Sequence, residues 1–135
     1  METGKANISE NTLRIIQEDL MAAVNDPHGT GGACAMKEVK AAGKTGTAQV
    51  VKMAQDFKKG DMNRMPLKFR DHAWFVAYAP FENPQISLAI LVEHGGFGGA
   101  VAAPIAKKIF EKYFSLQPSY PVRVAGEKTD SKDDD

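Results

Sequence analysis

Apolar residues first recur at helical spacing from Asn11 to Val24, where Leu13, Ile16, Leu20 and Val24 fall on one stripe. The pattern predicts an amphipathic helix, with Ser9 or Asn11 positioned to cap its start. Asn25-Asp26-Pro27-His28-Gly29-Thr30-Gly31-Gly32 then supplies the turn formers that end it. A β-branched run predicts a strand from about Ala42 to Lys52. His72 to Ala79 alternates large and small residues, Pro80-Phe81-Glu82-Asn83-Pro84 makes a turn, and Gln85 to Glu93 reads as a second strand, giving an antiparallel hairpin. That second strand is apolar at both parities, so both its faces are expected to be covered. Gly95-Gly96-Phe97-Gly98-Gly99 leads into a last helix over about Ala102 to Phe114. Pro104 is expected in its first turn, with Ile105, Ile109 and Tyr113 on one face and Ala102, Ala106 and Phe110 beside them.

The resulting order is helix, strand, long connection, strand, strand, helix. This is an α+β arrangement, a three-stranded antiparallel sheet packed with helices. The connection from Met53 to Asp71 has mixed charge and no clean period; one so long inside a compact domain is either functional or mobile. Residues 1–10 read as a leader, 11–116 as the domain, and 117–135 as a polar tail ending in Asp133-Asp134-Asp135, expected to be disordered.

Composition narrows the classes. The 135 residues suffice for one domain, with 43% apolar and 25% charged residues as in a globular chain. Basic and acidic residues number 17 each, so the charge is balanced and nucleic acid is not an expected partner. No apolar run approaches the ~18 residues of a membrane span, and no signal peptide is evident. Any extracytoplasmic location would then come from sequence outside this chain. Cys34 is the only cysteine, which excludes an internal disulfide and a cysteine-based zinc cluster. Next to a turn, it reads as a packed small residue. His72 beside Asp71 and His94 beside Glu93 suggest metal ligands, but neighbours along a strand point to opposite faces. Structural roles are expected for both histidines, with no metal and no cofactor. The glycines of 95–99 lack the Lys-Ser or Lys-Thr of a phosphate loop. Trp74, Phe75 and Tyr78 read as core or hairpin residues, and His28 as an exposed turn residue.

Candidate chemistry concentrates in Ala42-Gly43-Lys44-Thr45-Gly46-Thr47-Ala48-Gln49-Val50. Lys44 supplies a fixed positive charge, and the hydroxyls of Thr45 and Thr47 can donate to a carboxylate. Gly46, without a side chain, lets another backbone approach the strand. Together they describe one wall of a cleft for an acidic peptide end.

The same block resembles the third signature motif of the penicillin-binding transpeptidases. Later segments resemble that family in the same order: Arg70-Asp71-His72-Ala73-Trp74-Phe75, Ala79-Pro80, Asn83-Pro84, Glu93-His94-Gly95-Gly96 and Ala103-Pro104-Ile105-Ala106. The series is most similar to class B enzymes, and among them to the elongation type, over about Leu13 to Phe114. The resemblance implies the fold shared with serine β-lactamases, with the Lys-Thr-Gly strand at a sheet edge lining the site. It implies that Lys44 holds the positive field and that Thr45 and Thr47 bind the carboxylate of a peptidoglycan stem peptide ending in D-alanyl-D-alanine, or of a β-lactam. The Thr47 backbone N–H would be an oxyanion-hole donor. The substrate would lie along the strand as an added strand, with Gly46 giving it room.

One departure matters. The family's nucleophile is a serine followed three residues later by lysine, and Ser9, Ser87, Ser115, Ser119 and Ser131 all fail that pattern. Ser9-Glu10-Asn11 matches the second motif formally, but it lies too near Lys44 and reads as a helix cap. The chain is therefore expected to be the C-terminal part of a transpeptidase domain, inactive alone and dependent on the remaining part. Its parent would be anchored in the bacterial inner membrane with this domain in the periplasm. A serine β-lactamase is disfavoured by Thr47-Ala48-Gln49 and by the Asp71 to Phe75 strand. A non-catalytic β-lactam or peptidoglycan sensor module is the alternative. An uncovered Gln85 to Glu93 strand would expose an apolar edge, so a homodimer is a further expectation.

Overall fold

The structure, a computed structural model, describes residues 7–51 and 64–117. Most of the Met53 to Asp71 connection and all but the first residue of the 117–135 tail lie outside those residues. Helix α1 spans Glu10–Asn25, and the Ser9 side chain accepts from the Thr12 N–H, as a cap should. Strand β1 is Ala42–Ala48, β2 is His72–Ala79 and β3 is Ile86–Val92; helix α2 closes the order at Gly98–Ser115. Short 3-10 turns at Gly32–Cys34 and Leu67–Phe69 punctuate the connections.

The sheet order is β1-β2-β3, antiparallel throughout. Its register pairs Thr45 with Phe75 and Phe75 with Ile90, so these three point to the same face. The next row, Gly46, Trp74 and Leu91, points to the other. On the first face Ala73, Phe75, Ala77 and Ala79 pack beneath Ala102, Ala103, Ala106, Phe110 and Phe114 of α2, with Val24, Cys34 and Val39 closing the core. Each phenylalanine so buried contributes roughly 1.5–3 kcal/mol, an upper estimate because unfolded chains already hide some surface. Small alanines across from large rings let α2 lie close to the sheet.

Three expectations need correction. The first strand ends at Ala48 rather than Lys52. Beyond Ala48, paired with His72, β2 offers no partner, and the Val50 N–H instead donates to the Asp71 carboxylate at 3.2 Å. The last helix begins four residues early, at Gly98, so Pro104 lies inside it and not in its first turn. The glycines explain the early start, since a Cβ at Gly98 would collide with the carbonyls of Trp74 and Gly46 and one at Gly99 with that of Thr30. The face of α2 that meets the sheet is the alanine and phenylalanine stripe, whereas Ile105 and Ile109 are exposed. Likewise β3 is covered on one face only: Ser87, Ala89 and Leu91 are exposed beside Trp74 and Val76. Phe75 is thus core, but Trp74 is not.

In α1, too, only Val24 is buried, while Leu13 and Ile16 remain exposed. The helix is fastened at its C-terminal end. Asn25 Nδ2 donates to the carbonyls of Met21 and Ala41, both at 2.7 Å, using both its hydrogens to join the last turn to the residue preceding β1. This joint sets where the Lys44 strand enters the sheet.

Candidate functional site

Among the described residues, strand β1 lies at an edge of the sheet and no strand pairs with its far side. Lys44, on the face away from α2, bends around that edge. Its ammonium donates to the Thr45 carbonyl at 2.9 Å and stands 3.5 Å from Thr45 Oγ1. Thr45 and Thr47 share the face toward α2 and open on a cleft of about 460 Å³ lined also by Thr30, Phe97, Gly98, Gly99 and Ala100. Thr30 Oγ1 lies 3.0 Å from Thr45 Oγ1. Lys44 Nζ, Thr45 Oγ1 and Thr30 Oγ1 are thus in sequential contact, and Thr47 lines the same cleft as Thr45 and Thr30. Thr30 was not anticipated, although it stands in a Gly-Thr-Gly-Gly turn whose small size suits a cleft wall.

Among the described residues, no acidic side chain lines this cleft. The N-terminus of α2 opens on it, and Phe97 offers no side-chain cap to the first-turn N–H groups. The helix thus adds partial positive charge to that of Lys44. One ammonium, three hydroxyls and a helix start give this end of the sheet edge a donor-rich, positive character. The lining is open and partly polar, suited to the end of an extended chain rather than to an enclosed cofactor.

Gly46 has a reason internal to the fold: its Cβ would stand 3.2 Å from the Trp74 Cβ, tight but not blocked. Closer constraints fall on Gly43, where a Cβ would lie 2.7 Å from the Val76 carbonyl oxygen and 2.8 Å from the Ala77 Cβ. Glycine in this strand therefore serves strand packing.

The histidines take structural places. The His94 N–H donates to His72 Nδ1 at 2.9 Å, and His94 Nδ1 lies 3.1 Å from the Arg70 carbonyl. Buried Asp71 accepts from Val50 through its side chain, and its carbonyl accepts from the Gly96 N–H at 2.8 Å. Among the described residues, no group of three or more His, Cys, Asp or Glu side chains is placed to hold a metal. Cys34 is buried, and desolvation pushes its thiol up to about 12; Lys107 opposes that shift and Glu111 adds to it. It is not a reactive group.

The structure thus sets a strand bearing Lys44, Thr45 and Thr47 at a sheet edge beside the start of α2, within a helix-backed antiparallel sheet. A family profile for the penicillin binding protein transpeptidase domain matches residues 1–111, and the chain belongs to that family, in its class B branch. It is 39% identical over 93 residues to the peptidoglycan D,D-transpeptidase MrdA of Haemophilus influenzae, covering 68% of this chain and 14% of that protein. It is 33% identical over 138 residues to the probable peptidoglycan D,D-transpeptidase PenA of Neisseria gonorrhoeae, covering 95% of this chain and 21% of that one. Among solved structures, penicillin-binding protein 2 in its complex with MreC from Helicobacter pylori superposes with a TM-score of 0.67 at 28% identity, over 84% of this chain and 19% of that one. Penicillin-binding protein 2 of Pseudomonas aeruginosa, in complex with WCK 5153, gives 0.62 at 32% identity over 84% and 22%. The chain thus spans 14% to 21% of the length of these curated relatives, as part of their transpeptidase domain. The α+β fold is the expected one.

Proposed function

We propose that this chain supplies the carboxylate-binding wall of a peptidoglycan D,D-transpeptidase site. The observation that carries the reading is the convergence of Lys44 Nζ, Thr45 Oγ1 and Thr30 Oγ1 at the mouth of a cleft whose described lining holds no acidic residue. A stem peptide ending in D-alanyl-D-alanine lies extended along the open edge of β1, adding a strand. Its terminal carboxylate meets Lys44, Thr45 and Thr47, where charge-assisted hydrogen bonds hold it. Edge placement leaves alternate backbone N–H groups of β1 facing outward, and that of Thr47 is the oxyanion donor for the scissile carbonyl. A β-lactam uses the same wall through its own carboxylate.

The nucleophile comes from the rest of the transpeptidase domain, since no serine of this sequence is followed three residues later by lysine. That serine attacks the penultimate D-alanine carbonyl and D-alanine departs. A neighbouring stem-peptide amine then takes the acyl group and releases the serine. The chain by itself is inactive and requires no cofactor. Anchoring at the bacterial inner membrane, with this domain on the periplasmic side, is read as a property of the parent protein; no described helix is long and apolar enough to cross a membrane. The absent Ser-x-x-Lys also favours a second reading, a sensor module that binds stem peptide or β-lactam without turnover.

Intact mass after incubation with benzylpenicillin tests the reading. The chain alone is expected to stay unmodified, and adding a segment that carries the Ser-x-x-Lys motif is expected to give one adduct. Lys44→Ala and Thr47→Val should each slow that acylation by about tenfold or more. Acylation indifferent to both substitutions would remove β1 from the site.

A further inference from the structure

Thr30 lies in none of the motif residues, yet its hydroxyl is 3.0 Å from that of Thr45. Its position is set from two sides. The neighbouring Gly31 N–H donates to the Ala23 carbonyl at 2.8 Å, tying the turn to α1. Gly99 of α2 packs so closely on the Thr30 carbonyl that a Cβ there would collide with it. Thr30 is thus held between the end of α1 and the start of α2, facing β1.

Proton bookkeeping gives the contact its meaning. A threonine hydroxyl has one proton and two lone pairs, and an ammonium can only donate. Lys44 Nζ stands 3.5 Å from Thr45 Oγ1, and Thr30 Oγ1 stands 3.0 Å from it. When Thr30 donates to Thr45, both lone pairs of Thr45 face a donor and its single proton is left for the cleft. When the bond runs the other way, Thr45 turns a lone pair toward the cleft and opposes an anion. A carboxylate accepts only, so its arrival selects the first arrangement.

We propose that Thr30 is a substrate-positioning residue that orients the Thr45 proton toward the ligand carboxylate and so makes the cleft prefer an ionised end over a neutral one. The inference rests on the carboxylate-wall reading above.

The test measures acylation efficiency of the domain completed with its Ser-x-x-Lys segment, comparing benzylpenicillin with its methyl ester. Thr30→Val is expected to lower the rate with the acid about tenfold while changing that with the ester less than about twofold. Thr30→Ser, which keeps the hydroxyl, is expected to restore the acid rate. An equal fall with both ligands would make Thr30 merely structural, and no fall with either would exclude it; each overturns the proposal. If the unaltered completed domain is not acylated at all, the transpeptidase reading fails. Thr30 is then judged by titrating the chain with acetyl-D-alanyl-D-alanine and its C-terminal amide. Preference for the acid that Thr30→Val abolishes sustains the proposal, and anything else ends it.

Discussion

The backbone N–H of His94 donates to Nδ1 of His72 at 2.9 Å, with the two rings 4.7 Å apart. His94 adopts a positive φ of 54°, and its own Nδ1 faces the Arg70 carbonyl, which can only accept. That ring nitrogen therefore carries the proton, while Nδ1 of His72 must be bare. One contact thus joins the start of β2 to the turn that launches α2 and its cleft-lining first residues. His72→Ala leaves the His94 N–H without this acceptor in a half-buried place. The expected loss is about 1–2 kcal/mol of stability, read as a lower urea midpoint at unchanged slope.

Gly98 is the tightest point between α2 and the sheet. A methyl there meets the Trp74 carbonyl and stands 2.7 Å from the Gly46 carbonyl oxygen, and backbone atoms cannot swing aside. Gly98→Ala is expected to cost about 2–3 kcal/mol in thermal denaturation. It should also displace Gly46, so ligand affinity should fall with stability. By contrast, Gly32→Ala, where the nearest atom would be 3.9 Å away, is expected to be mild.

Cys34 gives a pH dependence with a defined sign. Burial, the largest cause, holds its folded value at about 12 against an ordinary 9.0, so the unfolded chain ionises first. Its contribution to stability is complete below pH 9.0 and is lost as pH rises toward about 12. At neutral pH, iodoacetamide is expected to label Cys34 only as the chain unfolds, so the labelled mass should track the denaturation curve. Rapid labelling of the folded chain would contradict the burial.

Trp74, Val76 and Leu91 form an apolar patch on the face of the sheet away from α2, next to the free edge of β3. Such a surface favours association, either with a second copy or with the remaining part of the domain. Val76→Lys with Leu91→Lys is expected to shift the isolated chain toward monomer in sedimentation velocity. The same pair should weaken capture of the complementary segment. A chain monomeric before substitution would remove the homodimer and leave only the second partner.

How far the sequence could be read depended on which residues answered to local rules. Ser9, the alternation from His72 to Ala79 and the turn at Pro80 to Pro84 act through neighbouring residues, and their elements stand where the pattern puts them. The placing of Lys44, Thr45 and Thr47 on one strand was legible because they fall in a run with strand-forming residues. The pattern separated Ile105 and Ile109 from Ala102, Ala106 and Phe110 without saying which stripe meets the sheet, because side-chain size does not decide it; close approach over Phe75 selected the alanines. Gly98 and Gly99 look like helix breakers in isolation, yet only glycine fits where the helix crosses the strand backbone. Thr30 was hidden for a similar reason. Its partner lies 15 residues away in sequence, and no local period joins the two.

Pro104 divides α2 in a way that bears on time rather than shape. Without an N–H it cannot close the helical bond back toward Ala100, so the turn that lines the cleft is latched less firmly than the turns beneath Phe110 and Phe114. Amide hydrogens of the first turn should exchange with solvent well before those of the last two turns. The wall facing the ligand can then breathe while the rest of the helix keeps the sheet closed.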